Sequence, residues 1–180
     1  MESLIGNISI QGVKLIEKTR YDDNRGSFAK FYSSEIFQTT GFSPVELFFT
    51  SSTKDVFRGM HLQTGQHQTS KIVFVLKGKI SDFLLDLRKD SESYSVINRI
   101  ELTEETPFSL FIPKGVAHGY HVVSSQAIVG YMMDGDFCSR CDSGVSPSRI
   151  LNFLQDIDIL TMSLRDKNLP KDLDIKNDQH

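Results

Sequence analysis

Hydrophobic and polar positions along the chain fall into short runs rather than long helical stripes. β-Branched and aromatic residues recur in "NISIQGVKLIEK", "VELFFTSST", "KIVFVLKGKISDFLLDLR", "SVINRIELT", "FSLFIP", "GYHVV" and "AIVGYMM", separated by turn-forming residues. That is how an antiparallel all-β domain reads. Gly78, inside "VLKGKISD", is expected to close a tight hairpin with a positive φ. Alternation in "KISDFLLDLR" is imperfect, and Asp82 and Asp86 lie four apart, so on a strand both point to one face. A polar-lined face of that kind predicts a sheet wrapped around a wet cavity. Helix is expected in "SSEIFQTTG", capped by Ser33 or Ser34 and stopped at Gly41, and in a tail from about Pro147 to Pro170. Beyond Pro170 the chain is polar and expected to fray. Repeats, low-complexity tracts and linkers are missing, so one domain is expected over residues 1–180, its core at about 7–135.

The run "VFRGMHLQT" breaks the apolar rule. Arg58, His61 and Gln63 stand where an interior strand favours hydrocarbon. Lys71, Asp82, Asp86, Arg88 and His118 also fall in or beside strand-like segments, and burying so many ionisable groups without function is costly. A cavity lined by them suits a polar, anionic small molecule. Arg58 and Arg88 are the expected grips on phosphate or carboxylate, whose geometry the guanidinium fork matches.

Composition narrows the classes. The 180 residues are 39% hydrophobic and 24% charged, enough for a sizeable core, with a net charge of −3. Neither nucleic acid nor a membrane surface is an expected partner at that balance. No apolar run approaches the ~20 residues that span a bilayer. "MESLIGNISIQG" lacks the basic and apolar regions of a signal peptide, which makes the cytoplasm the expected compartment. Cys138 and Cys141, in "CSRC", are expected to be reduced, structurally incidental thiols, because a zinc site needs further soft ligands and a redox pair needs a βαβ setting.

A second histidine segment, "FIPKGVAHGYHV", places Pro113, Gly115 and His118 in a P-x-G-x-x-H pattern between two strands. With "RGMHLQ", it resembles the cupin jelly roll, an all-β sandwich or barrel with a few peripheral helices. The metal-binding members take two histidines and a glutamate from the first motif. Here there is one histidine, followed by Gln63, so the ligand set is too thin for a catalytic metal and no cofactor is expected. A buried, hydrogen-bonded core role is the ordinary alternative for His61 and His118.

The succession "DDNRGSF", "FRGMHLQ", "SK" before "IVFVLKGKISDFLLDLRKDSESY", "IPKGVAHGY" and "SLRDKNLP" resembles the dTDP-4-dehydrorhamnose 3,5-epimerase family from about Asp22 to Pro170. Lys71 and Tyr131 fall ten and seventy residues after His61, as in that family. The resemblance implies a metal-free cupin that epimerises a nucleotide-diphosphate 4-keto-6-deoxyhexose. It implies His61 as base, Asp166 as its orienting carboxylate, Lys71 as stabiliser of the enolate oxygen and Tyr131 as the acid on the opposite face. Arg58, Gln63, His118 and Arg88 are implied around the substrate; apart from the resemblance, Asp82 is expected to support His118 and fix its tautomer. It further implies a homodimer with exchanged N-terminal strands, in which Arg25 and Phe28 reach the neighbour's site. For Tyr131 the alternative is a half-buried strand tyrosine, for Asp166 a helix cap, and for Arg25 a place in a turn.

Some positions depart from the family pattern. Glu46 and Phe48 replace a glutamine and an asparagine, Asp136 and Phe137 replace a tyrosine pair, Lys30 stands at an acidic position, and the tail's Trp-Pro signature is missing. Three readings therefore stand: a 3,5-epimerase, a single-centre 5- or 3-epimerase on a CDP- or dTDP-linked deoxysugar, and a non-catalytic sugar-binding cupin.

Overall fold

In the computed structural model, residues 8–154 and 161–173 are described. Along the chain run β1 (Lys14–Glu17), β2 (Thr19–Asp23), β3 (Gly26–Lys30), α1 (Ser34–Thr40), β4 (Glu46–Thr53), β5 (Phe57–Gln63), β6 (Lys71–Lys77) and β7 (Lys79–Asp86). They are followed by β8 (Ile97–Thr103), β9 (Phe108–Ile112), β10 (Val116–Val122), β11 (Gln126–Met133), β12 (Asp142–Gly144) and α2 (Leu164–Lys167), with 3-10 turns at Gly65–His67 and Pro147–Phe153. Two five-stranded sheets result, ordered β1-β9-β6-β11-β4 and β12-β5-β10-β7-β8, while β2 and β3 form a separate hairpin. All strand pairings between named elements are antiparallel. The expected jelly-roll sandwich is what the chain forms. Among the described residues no helix is long and apolar enough to cross a membrane.

Three apolar layers explain why some strands alternate and others do not. Between the sheets lie Val73, Ile80, Leu84, Leu110, Tyr120 and Val129. Behind the second sheet, Phe57, Met60, Leu62, Phe83 and Leu85 are covered by Val145, Ile150 and Leu154 of the C-terminal segment. Behind the first sheet, Ile36 of α1 and Phe42 cover Ile72, Phe74 and Phe111. Strands β6 and β7 are thus buried on both faces over most of their length, which is why neither "KIVFVLK" nor "KISDFLLD" alternates cleanly, and on β7 the buried positions include Ser81, Asp82 and Asp86. Strand β8 keeps one half-exposed face and alternates cleanly.

Three expectations about local structure are corrected. Gly78 has the expected positive φ of 82°, but β6 and β7 belong to different sheets, so it turns a corner between layers rather than closing a hairpin. A side chain there would run into the backbone at Gln126 and Ala127. Among the described residues the tail holds two short helical pieces, the turn at Pro147–Phe153 and α2; residues 155–160 between them lie outside the described residues, as do 174–180 of the expected frayed end. The cap of α2 is Ser163, whose hydroxyl accepts from the Asp166 N–H at 3.0 Å, so Asp166 is free of the capping role. Helix α1 matches its expected span, with Gly41 in the left-handed region at its end.

Candidate active site

Strand β5 carries the histidine into a cleft, and a kink decides which side chains go with it. Its register against β10 slips between His118 and Tyr120, opposite Gly59, which has a φ of 133°. Gly59 lies against Gly119, and a Cβ there would strike the backbone of Gly119 and His118. On a regular strand Arg58 and His61, three apart, point to opposite faces; the irregularity brings both to the cleft wall. Phe57, Met60 and Leu62 meanwhile pack into the layer behind the sheet.

The imidazole of His61 is fixed by Asp166. Nε2 lies 2.7 Å from Asp166 Oδ1, and Asp166 Oδ2 accepts the Gly59 N–H at 3.2 Å. Burial pushes the Asp166 carboxyl up, but the His61 hydrogen bond and charge, with Gly59 and Ser163, outweigh it and hold the group below its ordinary range. An ionised Asp166 accepts from Nε2–H, which leaves the Nδ1 lone pair as the ring's base. The His61 side chain is 29% exposed and Asp166 only 4%, so the ring meets the cleft while its partner stays covered.

Lys71, the first residue of β6, approaches from the facing sheet and donates from Nζ to the His61 carbonyl at 3.3 Å. Burial lowers its pKa to about 8, partly opposed by Asp142 and Asp82. A second pair lies deeper, where His118 Nε2 is 2.7 Å from Asp82 Oδ2. Burial moves both partners toward their neutral forms, lowering His118 and raising Asp82, and each opposes the other's shift. Asp82 thus supports His118 as expected. Tyr131, on β11, is 8% exposed and lines the same cleft. Burial, with Tyr120 and Asp82 nearby, raises its phenol well above 10, so it stays protonated at neutral pH.

The cleft encloses about 280 Å³ and mixes these polar groups with Phe48, Met133 and Phe137. Phe48 stacks on Tyr131, the ring centroids 5.0 Å apart and the planes 12° from parallel. Arg58 reaches the wall from an exposed position and is held by Nε donating to Ser52 Oγ at 2.9 Å. Both ends of the Gln63 amide are engaged by a loop. Its Oε1 accepts from Cys138 N–H at 2.6 Å, and its Nε2 donates to the Asp136 carbonyl at 3.3 Å. Gln63 therefore ties the wall to that loop.

Sequence reasoning missed Arg165, which lines the mouth and meets Asp142 at 2.8 Å, although it sits beside Asp166 in a motif already singled out. It also missed Thr50 and Tyr120, whose hydroxyls are 2.8 Å apart below Tyr131 in the same network as Ser52.

Other expected site residues lie elsewhere. Arg88 is not in the cleft: its Nε and Nη2 both donate at 2.8 Å to Asp86, and Nη2 also reaches the Gln11 carbonyl. An internal carboxylate satisfies the fork that was expected to take an external anion. Arg25 and Phe28 sit on the exposed β2–β3 hairpin, Arg25 paired with Asp23, away from this chain's own cleft. Cys138 and Cys141 are not separate thiols but a disulfide, their Cα atoms 5.2 Å apart across a tight turn.

Known proteins match both sequence and shape. The family profile described as dTDP-4-dehydrorhamnose 3,5-epimerase matches residues 7–173. A protein of that name from Methanothermobacter thermautotrophicus is 34% identical over 169 residues, covering 89% of each chain. The crystal structure of the Bacillus anthracis dTDP-4-dehydrorhamnose 3,5-epimerase, with TDP and pyrophosphate bound, superposes with a TM-score of 0.84 at 29% identity, over 92% of this chain and 97% of that one. The Legionella pneumophila dTDP-6-deoxy-D-glucose-3,5-epimerase, in complex with dTDP-4-keto-L-rhamnose, gives 0.80 at 29% identity, over 92% of this chain and 90% of that one. A match of this extent, on a jelly roll that brings His61, Lys71 and Tyr131 to one cleft, places the chain in the dTDP-4-dehydrorhamnose 3,5-epimerase family of carbohydrate epimerases.

Proposed function

We propose that the cleft epimerises the hexose of a dTDP-linked 4-keto-6-deoxy sugar by proton transfer at carbons flanking the ketone. The observation that carries this reading is the placement of a carboxylate-oriented imidazole, His61, and a protonated phenol, Tyr131, on opposite sheets of one cleft. The ketone acidifies the neighbouring C–H bonds. His61 removes a proton through Nδ1, and Asp166 stabilises the imidazolium that forms. The electron pair moves onto the ketone oxygen, where the Lys71 ammonium, little screened in its buried position, stabilises the enolate. Tyr131 delivers a proton to the other face and the configuration inverts. Arg58, with Arg165 at the mouth, is suited to the diphosphate. The test is incubation with dTDP-4-keto-6-deoxyglucose in D2O: label is expected at C3 and C5 by NMR, and a sugar that stays unlabelled overturns the reading.

The stacking of Phe48 on Tyr131 favours a second reading, inversion at one carbon alone. A phenol clamped by a parallel ring has fewer positions from which to serve two carbons. Label at a single carbon selects this variant.

A homodimer fits the surface. Leu47 and Phe49 of edge strand β4 are 69% and 66% exposed, and Tyr21 and Phe28 on the β2–β3 hairpin 68% and 56%. An exposed edge beside apolar side chains is a surface that native proteins cover. A second copy would cover it with its own hairpin and bring Arg25 to the neighbouring cleft. Sedimentation equilibrium is expected to return twice the chain mass, and a monomer at micromolar concentration would refute the arrangement.

Lys71 sets a pH dependence. Its ammonium is lost as pH rises through about 8, so kcat is expected to fall above that value, and Lys71→Met should lower the rate below pH 8 and flatten this limb. The fold responds in the opposite direction. The unfolded chain holds the proton up to the ordinary value of 10.5, so this residue's contribution to stability rises between about 8 and 10.5. A pH–rate profile measured alongside urea midpoints separates the two effects, and a kcat that stays level through pH 8 removes Lys71 from its assigned role.

A further inference from the structure

The CSRC turn has a neighbour that only the fold reveals. One ligating nitrogen of His67 and the sulfurs of Cys138 and Cys141 all lie within 4.8 Å of one another. The two turns that carry them are fastened together. Thr64 N–H and Oγ1 both donate to the Cys141 carbonyl, at 2.9 and 3.2 Å, and β12 continues the pairing along β5. The N–H groups of Cys141 and Asp142 close on the Cys138 carbonyl at 3.0 and 2.9 Å, which fixes the spacing of the two cysteines. His67 is exposed and both cysteines are half-exposed, so the cluster is open to a dissolved ion.

We propose that, once the disulfide is reduced, Cys138, Cys141 and His67 form a binding site for a borderline-soft divalent cation of the Zn2+ class. Two sulfurs and an imidazole are the donor types such an ion prefers, and a tetrahedral centre with bonds of ~2.3 Å to sulfur and ~2.0 Å to nitrogen needs donor separations under ~4 Å. Small side-chain rotations supply that from a set already within 4.8 Å. Among the described residues no fourth ligand joins the set, so solvent takes the remaining position. Reduction by a dithiol adds two electrons and two protons to the S–S bond, leaving two thiols while the dithiol closes to its own disulfide. Metal binding then releases both thiol protons to water, and His67 coordinates as the neutral imidazole. Disulfide and metal chelate are thus alternative clasps on one loop. The disulfide closes only the turn 138–141, whereas the chelate would also tie that turn to His67; the same loop bonds to Gln63 through the Cys138 N–H and places Phe137 at the cleft wall.

The site is separate from His61 and its test does not depend on the reaction. The full chain is reduced with a phosphine, which becomes its oxide by taking oxygen from water, then freed of reductant and titrated with Co2+. The expected result is a thiolate-to-cobalt charge-transfer band that saturates near a single equivalent and is abolished by excess Zn2+. Cys138→Ser should remove the band. His67→Ala, a change at an exposed residue that leaves folding intact, should weaken Co2+ affinity by about tenfold or more, since even an outer-shell partner of a ligand contributes that much. The unreduced chain should show no band. A reduced chain that gives no band overturns the proposal, as does an unreduced chain that gives the same band. A His67→Ala chain that binds within about twofold of the original overturns it too, because a lost ligand costs far more than that.

Discussion

Replacement of His61 by alanine is expected to lower turnover by about 10²–10⁴-fold, the range that a positioned acid or base contributes, while affinity for the nucleotide sugar changes little. The split follows from where the imidazole acts. On the proposed mechanism its proton transfer would develop only in the transition state, whereas binding would be spread over Arg58, Arg165 and the cleft walls. The fold should tolerate the change. His61 is partly exposed, and Asp166 keeps its bond from the Gly59 N–H when the ring is gone. Steady-state kinetics beside calorimetric titration with a dTDP-sugar gives both numbers. A kcat loss below about threefold would take His61 out of the mechanism, because no general base contributes so little.

Tyr131→Phe should separate two events that the intact enzyme performs together. On the proposed mechanism, His61 would still remove the proton without the phenol and could return one from solvent to the same face. Exchange of the sugar C–H with D2O is therefore expected to survive within about tenfold, while inversion falls by ~10²-fold or more. Phenylalanine keeps the ring that stacks on Phe48, so a packing defect does not explain such a split. If exchange and inversion decline in parallel, Tyr131 is not the acid on the far face.

Much of the site could be read from the chain because motif and spacing carry it. His61, Lys71, Tyr131 and Asp166 lie in segments whose order and separation carry the family resemblance, and the fold brings all four to or beside one cleft. Other features depend on what a segment meets after folding. Whether Gly78 closes a hairpin or turns a corner depends on which sheet accepts β7, and no local period encodes that. Arg58 and His61 share a face only through the slip at Gly59, where strict alternation would have separated them. Arg88 has the right side chain for a phosphate, but its own Asp86, two residues away, takes it. The cysteine turn looked incidental because its third potential ligand lies seventy-one positions before Cys138.

In the proposed mechanism the base, His61, belongs to β5 in one sheet and the acid, Tyr131, to β11 in the other, with Lys71 on β6 beside the acid. On that mechanism the thickness of the sandwich would act as a ruler between proton donor and proton acceptor. Trimming a spacer such as Val73 or Leu84, which touches no sugar, would alter stereochemical fidelity before it altered affinity.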